Sequence, residues 1–437
     1  MGEKVGTKFQ NVKGTRDFYP EDMRVRNWIA DAWRRVSLRN GFEEYDAPIF
    51  EYLDLFTIKS GQEIAEQLFN FTDRGGRSLA IRPEITPSLA RMVNAKIHTL
   101  PRPIKWFSIP RLCRAENPQK GRLREFFQWN IDIIGDDSVL ADAECIFACV
   151  DFLREIGLTP EDVKVRIGSR PVVLAHLRAG GVAEEKLETF LLLIDKRPKV
   201  PPEAFGALCE KEGVTKAQMR IFDEFDSLHE PDRGPPLTSI GLTNDQCFPH
   251  LAQVDALFTH LEQMGVAEYC VRDFHVVRGL AYYTGIVYEV FDASSSLRAL
   301  AGGGRYDNLL EVLGGPKVGA TGFGMGDVVL GILLKEKGKI KEEVRRGIVK
   351  FWVIDAGDNL LGEVLRVVGA LRRKDISAGY SSEKRGNIGK QLKDANRHGA
   401  SKAILVRHGR VAIKDLATGN QADVPTDQFL DDPKKWE

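Results

Sequence analysis

The residues with the most chemistry to offer are arginines. In RLCRAENPQKGRLREFFQWNID (111–132), Arg111, Arg114, Arg122 and Arg124 surround a short loop, and aromatics with an alternating polar run follow. From Phe127 onward, apolar Trp129, Ile131 and Ile133 alternate with Gln128, Asn130 and Asp132. A period of two is a strand with one apolar and one polar face. The preceding IKWFSIPRLCR reads as a second strand, and AENPQKG carries the Pro and Gly of a turn. The stretch is expected to be a hairpin that brings Arg114 and Arg122 together, and two guanidiniums held close repel unless an anion lies between them.

Other segments could complete such a site. In VVRGLAYYTG, Arg278 precedes Tyr282 and Tyr283, with a purely structural cation–π contact as the competing explanation. The glycines of AGGGRYDNLL (301–310) either let backbone approach a ligand or form a tight bulge. RPEIT (82–86) sets Glu84 and Thr86 ahead of a helix, with Thr86 expected as N-cap and Pro87 at the first helical position. Several arginines suit a polyanion, while Glu84, Gln128 and Asp132 suit a zwitterion whose ammonium needs acceptors. Neither a serine triad nor a close carboxylate pair is identifiable. Charge placement at a transferring phosphorus is the chemistry best supported.

Several alternatives lose ground. There is no GxxxxGK[ST], and Gly322, Gly324 and Gly326 have the wrong spacing for a dinucleotide fingerprint. Those glycines are read as packing where a strand enters the helix DVVLGILL. The six cysteines form no CxxC, Cys145 and Cys149 are read as core, and the eight histidines are scattered, so no metal site is expected. The N-terminal stretch has no apolar h-region and no run is long enough to span a bilayer, so a cytoplasmic, reduced protein is expected. A formal net charge of zero argues against indiscriminate polyanion binding. The exception is local: Arg372 to Arg410 holds eleven Lys/Arg against three Asp/Glu. That is either a phosphate-binding face or an unevenly charged surface.

The elements that must position these residues follow from periodicity and punctuation. At 437 residues the chain is long for one domain. Residues 25–42 read as a helix closed by Gly41, and EEYDAPIFEY reads as a strand with Pro48 at an edge or bend. A hairpin closed at RGG precedes the helix at Pro87, and 140–157 is an amphipathic helix. Residues about 170–255 read as a helical insertion. The expected division is 1–335, a charged linker at 336–347, and a compact α/β domain at 348–437, where strands alternate with helices.

Taken together, the motifs resemble a known family. LCRAENPQKGRLREFFQ resembles the motif 2 hairpin of class II aminoacyl-tRNA synthetases. VRGLAYYTGIVYEV and AGGGRYDNLL resemble the two signatures of histidyl-tRNA synthetases, and the likeness runs from KGTRDFYP to GNIGKQLKDANRHGA. The resemblance implies an α+β catalytic domain, with an antiparallel sheet flanked by helices and a helical insertion leaning on the tRNA acceptor arm. A C-terminal α/β anticodon-binding domain should follow. It further implies a homodimer, with Pro48 at the interface, that uses ATP, with Mg2+ accompanying it, to make histidyl-adenylate from L-histidine and then acylates tRNA(His).

By position, Arg114 and Arg278 would be catalytic at the α-phosphate, and Arg122 would reach the distal phosphates. Phe126 would stack on adenine, and Gly302, Gly303 and Gly304 would line the nucleotide site. Glu84, Ile85, Thr86, Gln128, Arg114 and Arg278 would hold the histidine backbone. Asp132, Tyr282 and Tyr283 would read its imidazole. Three positions depart from the family pattern: Ala281 where an aspartate is usual, Asn117 where bacterial enzymes carry an arginine, and Val329 where motif 3 places one. The rivals are a non-catalytic regulatory paralogue for ATP phosphoribosyltransferase, another class IIa synthetase, and a scaffold that binds tRNA without consuming ATP.

Overall fold

The structure is a computed structural model and describes residues 9–58, 68–227, 248–278, 283–345, 349–357, 359–381 and 387–436. The chain divides into two compact units, one of residues 1–17 and 26–339, the other of 18–25 and 340–437.

The first unit is built on a nine-stranded sheet: β1 (Glu43–Glu44), β2 (Ile104–Ser108), β3 (Arg111–Cys113), β4 (Glu125–Ile134), β5 (Val163–Ser169), β6 (Cys270–Arg272), β7 (Ile286–Asp292), β8 (Ala301–Arg305) and β9 (Ala320–Gly326). Their order is β1-β2-β4-β9-β8-β7-β5-β6, with β3 also paired to β4. All pairs are antiparallel except β1 with β2 and β5 with β6 at the two edges. IKWFSIPRLCR is thus two strands broken at Ile109-Pro110, and β4 is long enough to pair with both. The expected strand over 43–52 is likewise broken. Its second part, Phe50–Tyr52, pairs with Ser78–Ile81 in a separate three-stranded sheet completed by Asn70–Thr72.

The alternation on β4 divides the molecule. Trp129, on its apolar face, stacks on Trp33 of helix α1 (Pro20–Arg39) at 6.1 Å and meets Phe152 of helix α3 (Val139–Glu155) edge-on. The buried Trp129 indole donates to Ser37 (2.8 Å), so its polar atom is satisfied within the core. Cys145 and Cys149 of α3 are fully buried in the same layer. On the opposite face, Ile85 and Leu89 of and beside helix α2 (Thr86–Lys96) cluster with Ile134, Val287 and Tyr306. Gln128 and Asp132 share that face. Helix α4 (Asp327–Glu336) follows β9 without a loop, as its sequence led us to expect.

From 170 to 227 the chain is helical, with helices at Arg170–Ala179, Leu187–Lys196, Pro202–Lys211 and Lys216–Ser227, and Phe248–Gln263 is helical again. The second unit carries a five-stranded sheet in the order Ala378–Tyr380, Phe351–Asp355, Lys402–Arg407, Arg410–Asp415, Gln421–Pro425. Its first three strands run parallel and the last two antiparallel, with helices Leu361–Arg373 and Ile388–Arg397 between them.

Candidate active site

The 111–132 stretch is the expected hairpin. Arg111 pairs with Phe127 and Cys113 with Glu125, and the Arg114 amide donates to the Arg124 carbonyl (2.8 Å). Past the strands, Gln119 and Arg122 exchange both backbone hydrogen bonds at 2.9 Å. Arg114 and Arg122 both face a cavity of about 860 Å3, with Arg114 lying over Phe126 (5.3 Å) and donating through Nε to the Pro83 carbonyl (3.0 Å). Arg122 is in an ion pair with Glu116, a half-buried residue of the same loop, so an anion is already supplied by the chain.

Across the cavity stands Arg278, with a backbone φ of 51°. A non-glycine residue there is uncommon and tends to mark a site held by its surroundings. Its guanidinium lies 3.7 Å from Glu289 of β7 and over the Tyr283 ring at 5.4 Å. The structural cation–π contact and a place in the cavity wall therefore coexist.

The glycines explain how these side chains fit. Gly302 and Gly324 are opposite one another on β8 and β9, as are Gly304 and Gly322. A Cβ on Gly302 would fall 1.3 Å from the Arg278 Nη1, and one on Gly324 would meet the Gln128 amide at 2.7 Å. In the second pair, a Cβ on Gly304 would lie 3.0 Å from the Tyr283 ring and one on Gly322 2.4 Å from Asp132 Oδ1. Two cross-strand glycine pairs thus form a floor without side chains under Arg278, Gln128, Tyr283 and Asp132. Gly303 faces the other way, toward Phe323. Gly322 and Gly324, read from sequence only as packing at a strand–helix junction, belong to this floor.

Asp132 is 3% exposed and accepts a hydrogen bond from the Tyr306 hydroxyl, while its Oδ2 has no partner among the described residues. Burial raises its pKa to about 7; the Tyr306 hydrogen bond lowers it and the nearby Glu84 charge raises it further. Glu84 is also buried, in the turn before α2. The N-cap of α2 is Ile85, not Thr86, so Thr86 lies in the first helical turn and the expected capping role falls away. Tyr282 and Ala281 lie outside the described residues.

Other residues were not anticipated. Tyr306 comes from the same AGGGRYDNLL segment as the glycines. Arg305 beside it serves the fold: buried, it pairs with Asp142 at 2.7 Å and donates to the Ser138 carbonyl. Asp327 at the start of α4 accepts from the Phe127 amide (2.9 Å) and pairs with Arg16 (2.7 Å), fixing the helix against the hairpin strand. Val328 and Val329 of α4 give the cavity an apolar patch.

An antiparallel sheet carrying an arginine hairpin, a glycine floor and a strand running directly into a helix defines the catalytic unit of a class II aminoacyl-tRNA synthetase. A model of the Histidyl-tRNA synthetase family matches residues 14–326. This chain belongs to the histidyl-tRNA synthetase family. It is 39% identical to a histidine–tRNA ligase of Opitutus terrae over 96% of this chain and 97% of that one. It is 40% identical to a chloroplastic/mitochondrial histidine–tRNA ligase of Arabidopsis thaliana over 94% and 84%. The crystal structure of histidyl-tRNA synthetase from Nostoc sp. PCC 7120 superposes with a TM-score of 0.81 at 22% identity, covering 98% of this chain and 99% of that one. A Bacillus halodurans structure described as an ATP phosphoribosyltransferase regulatory subunit/histidyl-tRNA synthetase reaches 0.73 at 22% identity, covering 91% and 98%. Fold alone therefore does not separate enzyme from regulatory subunit. The ligases matched over nearly their whole length favour the enzyme.

Proposed function

We propose that this chain joins L-histidine to tRNA(His) in two steps within the cavity. A carboxylate oxygen of histidine attacks the α-phosphorus of ATP, and the bond to the bridging oxygen of the β-phosphate breaks. Histidyl-adenylate and pyrophosphate result. A ribose hydroxyl of the tRNA's terminal adenosine then attacks the acyl carbon, and AMP leaves.

The observation that carries this reading is the seating of Arg278 over Gly302, opposite Gln128. The reacting phosphate gains charge in the transition state, and a guanidinium fixed over bare backbone can meet it without reorganising. Arg114 provides the second cation at that phosphate, and Arg122 reaches the distal end. Phe126 stacks on adenine, and of the three glycines expected at the nucleotide Gly302 lies in the cavity wall, while Gly303 faces Phe323 and Gly304 lies beside Tyr283. Glu84, Ile85, Thr86 and Gln128 take the amino acid's ammonium and carboxylate. Asp132 and Tyr283, with Tyr282, select imidazole, because a ring with one N–H donor and one acceptor suits an acidic and a phenolic group together. Mg2+ accompanying ATP would rest mainly on phosphate oxygens and water. Among the described residues no group of three His, Cys, Asp or Glu is assembled to hold a metal ion.

The helical insertion at about 170–255 is assigned to the acceptor arm and the second unit to the anticodon. Homodimer formation is supported by the apolar cluster beside Pro48, where Ile49, Phe50, Tyr52 and Phe71 are 44–62% exposed. The cytoplasm is the proposed compartment, and no helix among the described residues is long and apolar enough to cross a membrane. The test is exchange of pyrophosphate into ATP with each amino acid in turn and no tRNA. Exchange with histidine alone is expected. Exchange with another amino acid, or none from folded protein, would overturn the assignment.

A further inference from the structure

We propose that Arg298, on the connection between β7 and β8, is a nucleotide-binding residue that holds the distal phosphates of the triphosphate. The inference rests on the reading of the cavity as an ATP site and adds a residue that no motif above contains.

The cavity is electropositive. Its wall carries six cations, Arg114, Arg122, Arg166, Lys199, Arg278 and Arg298, against four carboxylates, Glu116, Asp195, Asp273 and Glu289, a surplus of two positive charges (6 − 4). Each carboxylate has a cation of the wall beside it. Glu116 pairs with Arg122, Asp195 with Lys199 (2.7 Å), Asp273 with Arg166 (3.4 Å) and Glu289 with Arg278 (3.7 Å). Arg298 instead donates to the neutral Gln119 side chain (2.8 Å). A guanidinium on a neutral amide keeps its full charge for an incoming anion.

Position then says which part of the nucleotide it meets. The contacts sort the wall into two ends. At one, Arg278 and Gln128 lean over the paired Gly302 and Gly324. At the other, Arg298 is bonded to Gln119, Gln119 is joined to Arg122 through both backbone hydrogen bonds, and a Cβ on the neighbouring Gly121 would lie 3.2 Å from Val329. Arg298 therefore belongs to the end of Arg122 and Val329, away from the reacting phosphate. Val329 brings no charge there and Glu116 offsets that of Arg122. Arg298 supplies the charge that the outer two phosphates require.

The contrast between ATP and AMP tests this, because AMP lacks the distal phosphates. Equilibrium binding of each nucleotide should be measured on the full-length protein and on Arg298→Ala, with exchange kinetics alongside. Arg298 is exposed, so the variant should melt like the parent protein. The expected result is a loss of ATP affinity of about 10- to 100-fold with AMP binding unchanged. The KM for ATP should rise and that for histidine stay, Arg298→Lys should retain part of the effect, and Val329→Arg should restore binding to Arg298→Ala. Unchanged ATP affinity, or equal losses for ATP and AMP, would overturn the assignment of Arg298. Absence of histidine-dependent exchange in the unmodified protein would instead count against the function proposed for the whole cavity.

Discussion

Nη1 of Arg278 lies 1.3 Å from where a Cβ on Gly302 would stand, so the arginine occupies a space that exists only because residue 302 has no side chain. The two residues are 24 positions apart and meet through the β7–β8 pairing that sets Glu289 opposite Gly302. One β-strand position thus sets both the guanidinium's place and its acidic neighbour.

Arg278→Ala is expected to lower histidine-dependent pyrophosphate exchange by about 10²–10³ while leaving the thermal transition nearly in place. The role proposed for the residue is charge at the reacting phosphate, and its side chain belongs to the cavity wall and not to the core. Unchanged turnover would remove it from the catalytic set.

Gly302→Ala should reproduce much of that loss by a different route. The added methyl displaces only the far end of a flexible side chain, so the sheet can stay intact while the guanidinium moves. The double variant should be hardly worse than Arg278→Ala alone, because both changes remove one interaction. Additive losses would mean that Gly302 acts on the nucleotide directly.

Asp132 makes stability depend on pH in a known direction. Its pKa is raised to about 7 by burial, against an unfolded value near the ordinary one of about 3.9. Between these values the folded chain holds a proton that the unfolded chain has released. The contribution is therefore complete at acid pH and is lost as pH rises through about 7, at a slope of at most about 1.4 kcal/mol per pH unit. Thermal melts of the ligand-free protein from pH 5 to 8 should show Asp132→Asn gaining on the parent protein as pH rises. Parallel pH profiles would contradict the protonated state.

What sequence could show of this site was whatever is local. The alternation from Phe127 to Ile133 marked β4 and its two faces, and Pro and Gly marked the hairpin, because a strand's period and a turn's residues lie within a few positions of each other. The pairing of Glu116 with Arg122 was missed although both lie in one loop, since loops lack a period to read. Arg278 over Gly302, Tyr306 on Asp132 and Arg298 on Gln119 depend on strand register or loop path, which no single segment encodes. The basic stretch from Arg372 to Arg410 gave too simple a picture. Arg372 donates to the Ala378 carbonyl, Lys374 to those of Leu430 and Asp431, and Lys402 to that of Trp436. Much of its charge secures the second unit itself.

What remains for a phosphate backbone is sharper than the composition implied. Helix Ile388–Arg397 starts on an Asn387 side chain that accepts from the Lys390 amide (3.0 Å), and it exposes Lys390, Lys393 and Arg397 at helical spacing on one face. If that face meets tRNA, Lys390→Gln with Lys393→Gln should weaken aminoacylation through the KM for tRNA and leave pyrophosphate exchange untouched. The salt dependence of tRNA affinity should shallow by roughly 1.4 in log–log slope, about 0.7 for each single-strand phosphate contact removed. An unchanged slope would place the tRNA contact of the second unit elsewhere, and an equal loss in exchange would show that the helix supports the fold instead of the ligand.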